Sequence, residues 1–268
     1  MIAKSAIALS TRPSTKASGI ARTLAGVHSS QLASLSDSLI NVDQFDNVIG
    51  PMPKLDGHLP DAINNRILHR AFSVFMFSTE SRSLLIQKRA VAKIVFPREW
   101  ANTCCSHPLF KPEEMENLGG NQVGIKRAAS KRLNAELGIA QRAPESFSFK
   151  EKIAYSQLSP GGSFGESEVD YILLSEMGEG TPISPDENEV EAFAWIQPGG
   201  KGNRVEHLKE FLETQAREGF PATPWFALMV NEPNCLELWW ESLIGEGSKF
   251  LSKEDTTGST VRSFLERK

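Results

Sequence analysis

Lys131-Arg132-Leu133-Asn134-Ala135-Glu136-Leu137-Gly138-Ile139 is the stretch from which the fold is read. The run leading into it places apolar residues at Ile125, Ala128, Ala129, Leu133 and Leu137, the three- and four-residue spacing of one helical face. Gly138 comes immediately after, and a residue without Cβ suits the left-handed turn that closes a helix. The spacing therefore predicts a helix over 124–137 capped by Gly138. Arg132 and Glu136 lie one turn apart. As a surface pair they would contribute only about 0.3 kcal/mol. In a site, the same two groups would hold a diphosphate (Arg132) and the Mg²⁺ bridging it (Glu136).

Working outward, residues 67–77 form the most continuous apolar run, which predicts a strand buried on both faces. Residues 84–89 follow a Ser-Thr-Glu-Ser turn and complete a hairpin. Nearer the N-terminus, 38–43 and 48–50 read as strands. Downstream, 150–155 and 169–175 read as two strands around the turn Ser159-Pro160-Gly161-Gly162, and 191–196 as another. A helix is expected at 207–216, and one final helix over 224–244 carrying Trp225, Trp239 and Trp240. Strands interleaved with helices in this order give an α+β layered domain with a mixed β-sheet, not a bundle or a pair of packed sheets.

The chain has 268 residues and 40% hydrophobic content, enough for one sizeable core. Its net charge is −4, but residues 1–36 contribute four cations (Lys4, Arg12, Lys16, Arg22) and no acid, leaving −8 on the rest. An acidic body excludes a general nucleic-acid surface, though not a small phosphorylated ligand held by a local basic cluster. Half of residues 1–36 are Ala, Ser or Thr, the composition of an organelle transit peptide. We expect 1–36 to be a disordered transit peptide directing the chain to a plastid (alternatively a mitochondrion, or no organelle and the cytoplasm). Residues 37–245 are expected to be the working domain, and 246–268 a polar, loosely held C-terminal tail. No run reaches the ~18–20 apolar residues of a membrane span. Cysteines at 104, 105 and 235 form no evident disulfide framework, as expected in a reducing compartment.

Two stretches carry candidate chemistry. Ala101-Asn102-Thr103-Cys104-Cys105-Ser106-His107-Pro108 places a thiol two residues from an imidazole, although adjacent cysteines are more often small buried hydrophobes. In Glu166-Ser167-Glu168-Val169-Asp170-Tyr171, strand alternation aligns Glu166, Glu168 and Asp170 on one face. Together with His58, His69 and His107, the first two carboxylates would make a five-ligand nitrogen/oxygen site for a divalent ion such as Mg²⁺, Mn²⁺ or Zn²⁺. Lys54, Arg89, Lys93 and Arg132 supply cations on the neighbouring elements.

The opening helix resembles the end of the Nudix motif, in which Lys131, Leu133, Glu136, Gly138 and Ile139 fit while Arg132 and Ala135 replace two glutamates. Asn117 and Val123 stand where that motif has an upstream glycine and glutamate. A Nudix pyrophosphatase uses the full carboxylate cluster to activate water; one remaining carboxylate speaks against hydrolysis here. With 68–75, 102–109, 132–138, 165–173 and Thr223-Pro224-Trp225 in order, the chain is similar over roughly 37–245 to the type I isopentenyl-diphosphate isomerases, built on a Nudix-like αβα sandwich. Alanine at 101, Phe164 and Ser167 depart from the residues usual at those positions.

What the resemblance implies is specific. Cys105 would be the catalytic thiol, Glu168 a partner in proton transfer, Tyr155 an aid to protonation, and Trp225 an indole over the reacting carbon. His58, His69, His107, Glu166 and Glu168 would be metal ligands, with Glu136 on a substrate-bound Mg²⁺. Lys54, Arg89, Lys93, Arg132 and Ser106 would contact the substrate. A small prenyl diphosphate would be the only partner, with no nucleic acid or membrane, and the protein would act as a monomer. The alternatives are a Nudix-type diphosphate hydrolase, which would release phosphate or pyrophosphate, and a non-catalytic diphosphate- or metal-binding module, which would not need Cys105.

Overall fold

A computed structural model describes residues 27–117, 120–233, 235–244 and 260–265. Its first elements in chain order are α1 (Ser29–Ser34), β1 (Ser38–Val42), β2 (Val48–Pro53), α2 (Lys54–Gly57) and α3 (Pro60–Asn64). Next come β3 (Leu68–Ser78), β4 (Leu84–Arg89), β5 (Trp100–Ala101), β6 (Cys104–Ser106), α4 (Pro112–Met115) and α5 (Val123–Leu137). The chain continues through β7 (Ser148–Leu158), β8 (Gly165–Met177), β9 (Val190–Ile196), α6 (Glu206–Arg217), α7 (Pro224–Asn231), α8 (Leu236–Ile244) and β10 (Val261–Ser263).

β3 is the centre, and its apolar continuity has the expected cause. Phe75 and Phe77 face one core layer, while Phe72, Val74 and Met76 face the other. Side chains on a strand alternate between faces, so burial on both requires an unbroken apolar run. Along one edge β3 pairs in parallel with β8, from His69 opposite Glu168 to Ser78 opposite Met177. Along the other it pairs antiparallel with β1, β6 and β4 in succession. The main path is β10-β7-β8-β3-β1-β2, with β4 carrying β5 and β9 to the side. α5 covers one face through Ile125, Ala128, Ala129, Leu133 and Leu137, the residues named by its spacing. α6, α7 and α8 cover the other through Leu208, Leu212, Phe226 and Trp240. The result is the expected α+β sandwich on a mixed sheet, and Gly138 ends α5 in the left-handed region at φ 65°.

Three local expectations are corrected. The single helix over 224–244 is two, α7 and α8. Glu232 precedes Pro233 and is extended (ψ 124°), as the proline ring demands of the residue before it. The cysteine segment, to which the sequence assigns no element, is strand β6, paired with β3 so that Cys105 lies opposite Ser73. Residues 1–36 are not disordered throughout, because α1 lies within them and its Gln31 is buried; residues 1–26 lie outside the described residues. Within the expected tail, β10 pairs in parallel with β7, Arg262 opposite Ile153. Phe264 also donates its amide to the Ala154 carbonyl at 2.8 Å. Among the described residues no helix is long and apolar enough to cross a membrane.

Candidate active site

β3 and β8 run in register, which sets His69 directly beside Glu168. His58 arrives from the turn after α2, and His107 follows β6. The three imidazole centroids lie 4.8 to 5.0 Å apart. His58 Nε2 lies 2.9 Å from Glu166 Oε2 and His107 Nε2 lies 2.7 Å from Glu168 Oε1. His69 Nε2 sits 3.7 Å from Glu166 Oε2 and 3.6 Å from Glu168 Oε1. One ligand atom each from His58, His69, His107 and Glu166 falls within a 4.8 Å span. Glu168 flanks this group, its second oxygen accepting the Tyr155 hydroxyl.

Neither ring nitrogen of the fully buried His69 has a partner within hydrogen-bonding distance, the nearest carboxylate oxygens standing 3.6 and 3.7 Å from Nε2. A buried polar atom left without a partner is costly, and His69 Nε2 faces the group it forms with His58, His107 and Glu166. A divalent cation taking nitrogen and oxygen ligands fits them. Burial opposes charge on His69, but Glu166 and Glu168 outweigh it and raise the imidazole to about 9. Binding a cation there must therefore release a proton. His58 is lowered, by burial. Despite burial, His58 and the other two imidazoles hold Glu166 well below the usual carboxylate range.

The second group gathers around Glu136. Although burial raises it, Lys93, Arg132 and the Gln87 amide bring its pKa down to about 2. Arg132 Nε lies 2.9 Å and Lys93 Nζ 3.4 Å from Glu136 Oε1. Lys54 belongs to the same cluster, because burial, then Arg132 and Lys93, lower its pKa to about 8. Arg89 is anchored instead through the Val95 and Phe96 carbonyls, at 2.8 and 3.1 Å, and points Nη1 at Cys105 Sγ at 3.5 Å.

One cleft has walls that include Lys54, Arg89, Lys93, Arg132, Cys105, Ser106, His107, Tyr155, Glu166, Glu168 and Trp225, whereas the almost wholly buried His69 and Glu136 are not among its lining residues. Cys104 and Cys105 diverge as neighbours on a strand must: Cys104 is fully buried in the α5 layer, and Cys105 packs with the layer that contains Trp225. Burial and the nearby Glu136 push the Cys105 thiol up to about 12 against the pull of Arg89, so it is protonated in the free protein. Tyr155 is opposite Glu168 across β7 and β8, and burial plus that carboxylate keep its phenol neutral. Trp225 stands 6.0 Å from Tyr155 and edge-on to Phe96 at 5.4 Å, with the Arg89 guanidinium 5.6 Å from its ring.

Several contributors escaped the sequence reading. Glu189 bonds Lys93 at 2.6 Å and Arg132 at 2.8 Å, and accepts from Gln31 of α1 at 2.9 Å. It stands in Asp186-Glu187-Asn188-Glu189, which reads as an acidic turn and offers no signal. Gln31 lies inside the Ala/Ser/Thr-rich segment whose composition reads as a transit peptide. Gln87 ties Glu136 to the segment before Cys104, donating to the Thr103 carbonyl at 3.0 Å and to Glu136 Oε2 at 2.9 Å.

The sheet, its helical layers and the α5 helix define a Nudix-domain protein, and residues 67–213, more than half the chain, match the NUDIX domain family. Within that class, relatives from animals, a fungus and a plant carry the same activity in their names. The isopentenyl-diphosphate Delta-isomerase 1 of Mesocricetus auratus is 39% identical over 215 residues, covering 80% of this chain and 88% of the relative. The isopentenyl-diphosphate delta-isomerase of Gibberella zeae is 37% identical over 235 residues, 87% of each chain. The isopentenyl-diphosphate Delta-isomerase II of Clarkia breweri is 37% identical over 210 residues, covering 76% of this chain and 68% of the relative. The chain belongs to the isopentenyl-diphosphate isomerase family.

Proposed function

We infer that the protein interconverts isopentenyl diphosphate and dimethylallyl diphosphate in isoprenoid synthesis. The observation that carries this reading is the meeting of the Cys105 thiol and the Glu168–Tyr155 pair in one cleft, delivered by strands on either side of β3. Moving the double bond from C3=C4 to C2=C3 requires a proton at C4 and loss of one from C2. The intermediate is a tertiary cation at C3. An acid and a base must therefore flank the alkene, and water must be excluded. Cys105 serves on one side, and Glu168 with the Tyr155 hydroxyl on the other. The Trp225 face stabilises the cation by about 2 kcal/mol where it is desolvated.

His58, His69, His107, Glu166 and Glu168 would hold a divalent ion, of the Mg²⁺, Mn²⁺ or Zn²⁺ class. With such an ion bound, electron density would be drawn from the carboxylate ligands and the Glu168–Tyr155 pair would be a stronger acid. Lys54, Lys93, Arg132, Arg89 and Ser106 bind and orient the diphosphate, and Glu136 would hold the substrate's Mg²⁺. Remote binding of this charged group supplies energy for orienting the uncharged alkene. The protein acts as a monomer.

Residues 1–26, acid-free and rich in Ala, Ser and Thr, direct the chain to a plastid; a fluorescent fusion of this segment that stays in the cytosol would refute that. The test of the reaction is product analysis with isopentenyl diphosphate. The expected result is dimethylallyl diphosphate with no phosphate or pyrophosphate. Release of either without isomer would overturn the reading in favour of a hydrolase.

A further inference from the structure

Asn102, between β5 and β6, is fully buried and uses both ends of its amide. Its Oδ1 accepts the indole Nε1–H of Trp225 at 3.0 Å. Its Nδ2 donates to the Val74 carbonyl of β3 at 3.0 Å and to the Cys104 carbonyl, in the peptide bond to Cys105, at 2.9 Å. One side chain thus ties α7, the central strand and the strand of the reactive thiol. The amide can be placed only one way round. Turned over, it would set its NH₂ against the indole N–H and its oxygen against two carbonyls.

The other neighbours of Trp225 do not impose a direction of this kind. Phe96 and Tyr155 touch it as rings at 5.4 and 6.0 Å, contacts that tolerate sliding and tilting. Among the described residues the bond to Asn102 is the indole's one hydrogen bond. A buried N–H without its acceptor would turn to find another, and the ring plane would turn with it.

We infer that Asn102 is a positioning residue for the isomerisation: it holds the Trp225 ring plane and the backbone beside Cys105 in one fixed relation. The indole face and the thiol are thereby presented to the same carbon centre. This rests on the proposed role of Trp225 at the carbocation. A ring a few tenths of an ångström out of place would leave substrate binding intact, because the diphosphate is held elsewhere. It would slow the chemical step and let water reach the cation. Water would then add at C3 and release a proton, converting the protonated alkene to a tertiary alcohol diphosphate by net hydration.

The experiment is a double-mutant cycle with Asn102→Ala, Trp225→Phe and the pair, reading kcat, KM and the alcohol fraction. Asn102→Ala should lower kcat about 100-fold, leave KM within about threefold and raise the alcohol fraction. In the Trp225→Phe background, where no indole N–H remains to be held, the same change should cost much less. Equal losses in both backgrounds would make Asn102 merely structural and overturn the inference. If Trp225→Phe leaves kcat unchanged, the role given to the indole fails as well. If Trp225→Phe is slow while Asn102→Ala is not, the inference alone fails. Should Asn102→Ala not fold, Asn102→Thr keeps one acceptor and one donor in a smaller volume. The same non-additivity is expected of it, and additivity would again overturn the assignment.

Discussion

Cys104 and Cys105 are the same residue type one position apart, and strand alternation alone separates their roles. Cys104 fills the core under α5, whereas Cys105 looks into the cleft with Arg89 at 3.5 Å. Cys105→Ala should lower kcat by about 10²–10⁴-fold with the fold intact. Cys104→Ala should retain substantial activity and lose about 1 kcal/mol of stability; steady-state assays beside thermal melts check both, and equal loss of activity in two folded variants would sink the assignment. Lys54 yields a pH prediction. Burial and its cationic neighbours bring it to about 8, so its charge is present below that pH and lost above it. Because kcat/KM reports groups of the free protein, it should fall as pH rises through about 8. Lys54→Arg, whose guanidinium stays charged, should carry the plateau further up. A pH–rate profile identical in the two proteins would remove Lys54 from the diphosphate site.

At the scale of elements, α1 reaches the basic cluster. Gln31 reaches Glu189, which fixes Lys93 and Arg132, so the helix is joined to the basic cluster through a single carboxylate. Removing residues 1–26 should leave KM unchanged. Removing 1–36 should raise KM by about tenfold, the value of a hydrogen bond to a charged group, with a smaller effect on kcat. Steady-state kinetics of the two truncations decide this, and equal KM values would show α1 to be a passive cover.

For the molecule as a whole, three imidazoles and two carboxylates join β3, β8, the turn after α2 and the segment after β6. An ion there would bind the folded chain and not the unfolded one. Stripping it with a chelator should lower the melting temperature, with about 2.7 kcal/mol at stake for an ion present at a hundred times its Kd. The two acidic sites should separate. Glu168→Gln should lose bound metal and nearly all kcat. Glu136→Gln should keep the metal but raise KM and the Mg²⁺ requirement, because its single carboxylate needs substrate oxygens to complete the shell. Elemental analysis beside kinetics is the check; metal lost from Glu136→Gln in the absence of substrate would reverse the two roles.

Local chemistry determined a good deal of this protein before any contact was known. The periodicity of 124–137 with Gly138 specified α5, the continuity of 67–77 specified a central strand, and Glu166 and Glu168 shared a face because strands alternate. These are short-range properties, set by steric and burial rules within one element. The convergence of His58, His69 and His107 on Glu166 was legible only through resemblance, since the spacing of distant residues carries no geometry. Glu189 takes its role from Gln31 and Lys93, 158 and 96 residues away, Gln31 takes its role from that same Glu189, and Asn102 takes its role from Trp225, 123 residues away. A carboxylate in an acidic turn, a glutamine in a Ser-rich segment and an asparagine before two cysteines look the same whether or not such partners exist. Only the pairing register of the sheet and the docking of α1 and α7 onto it decided that they do.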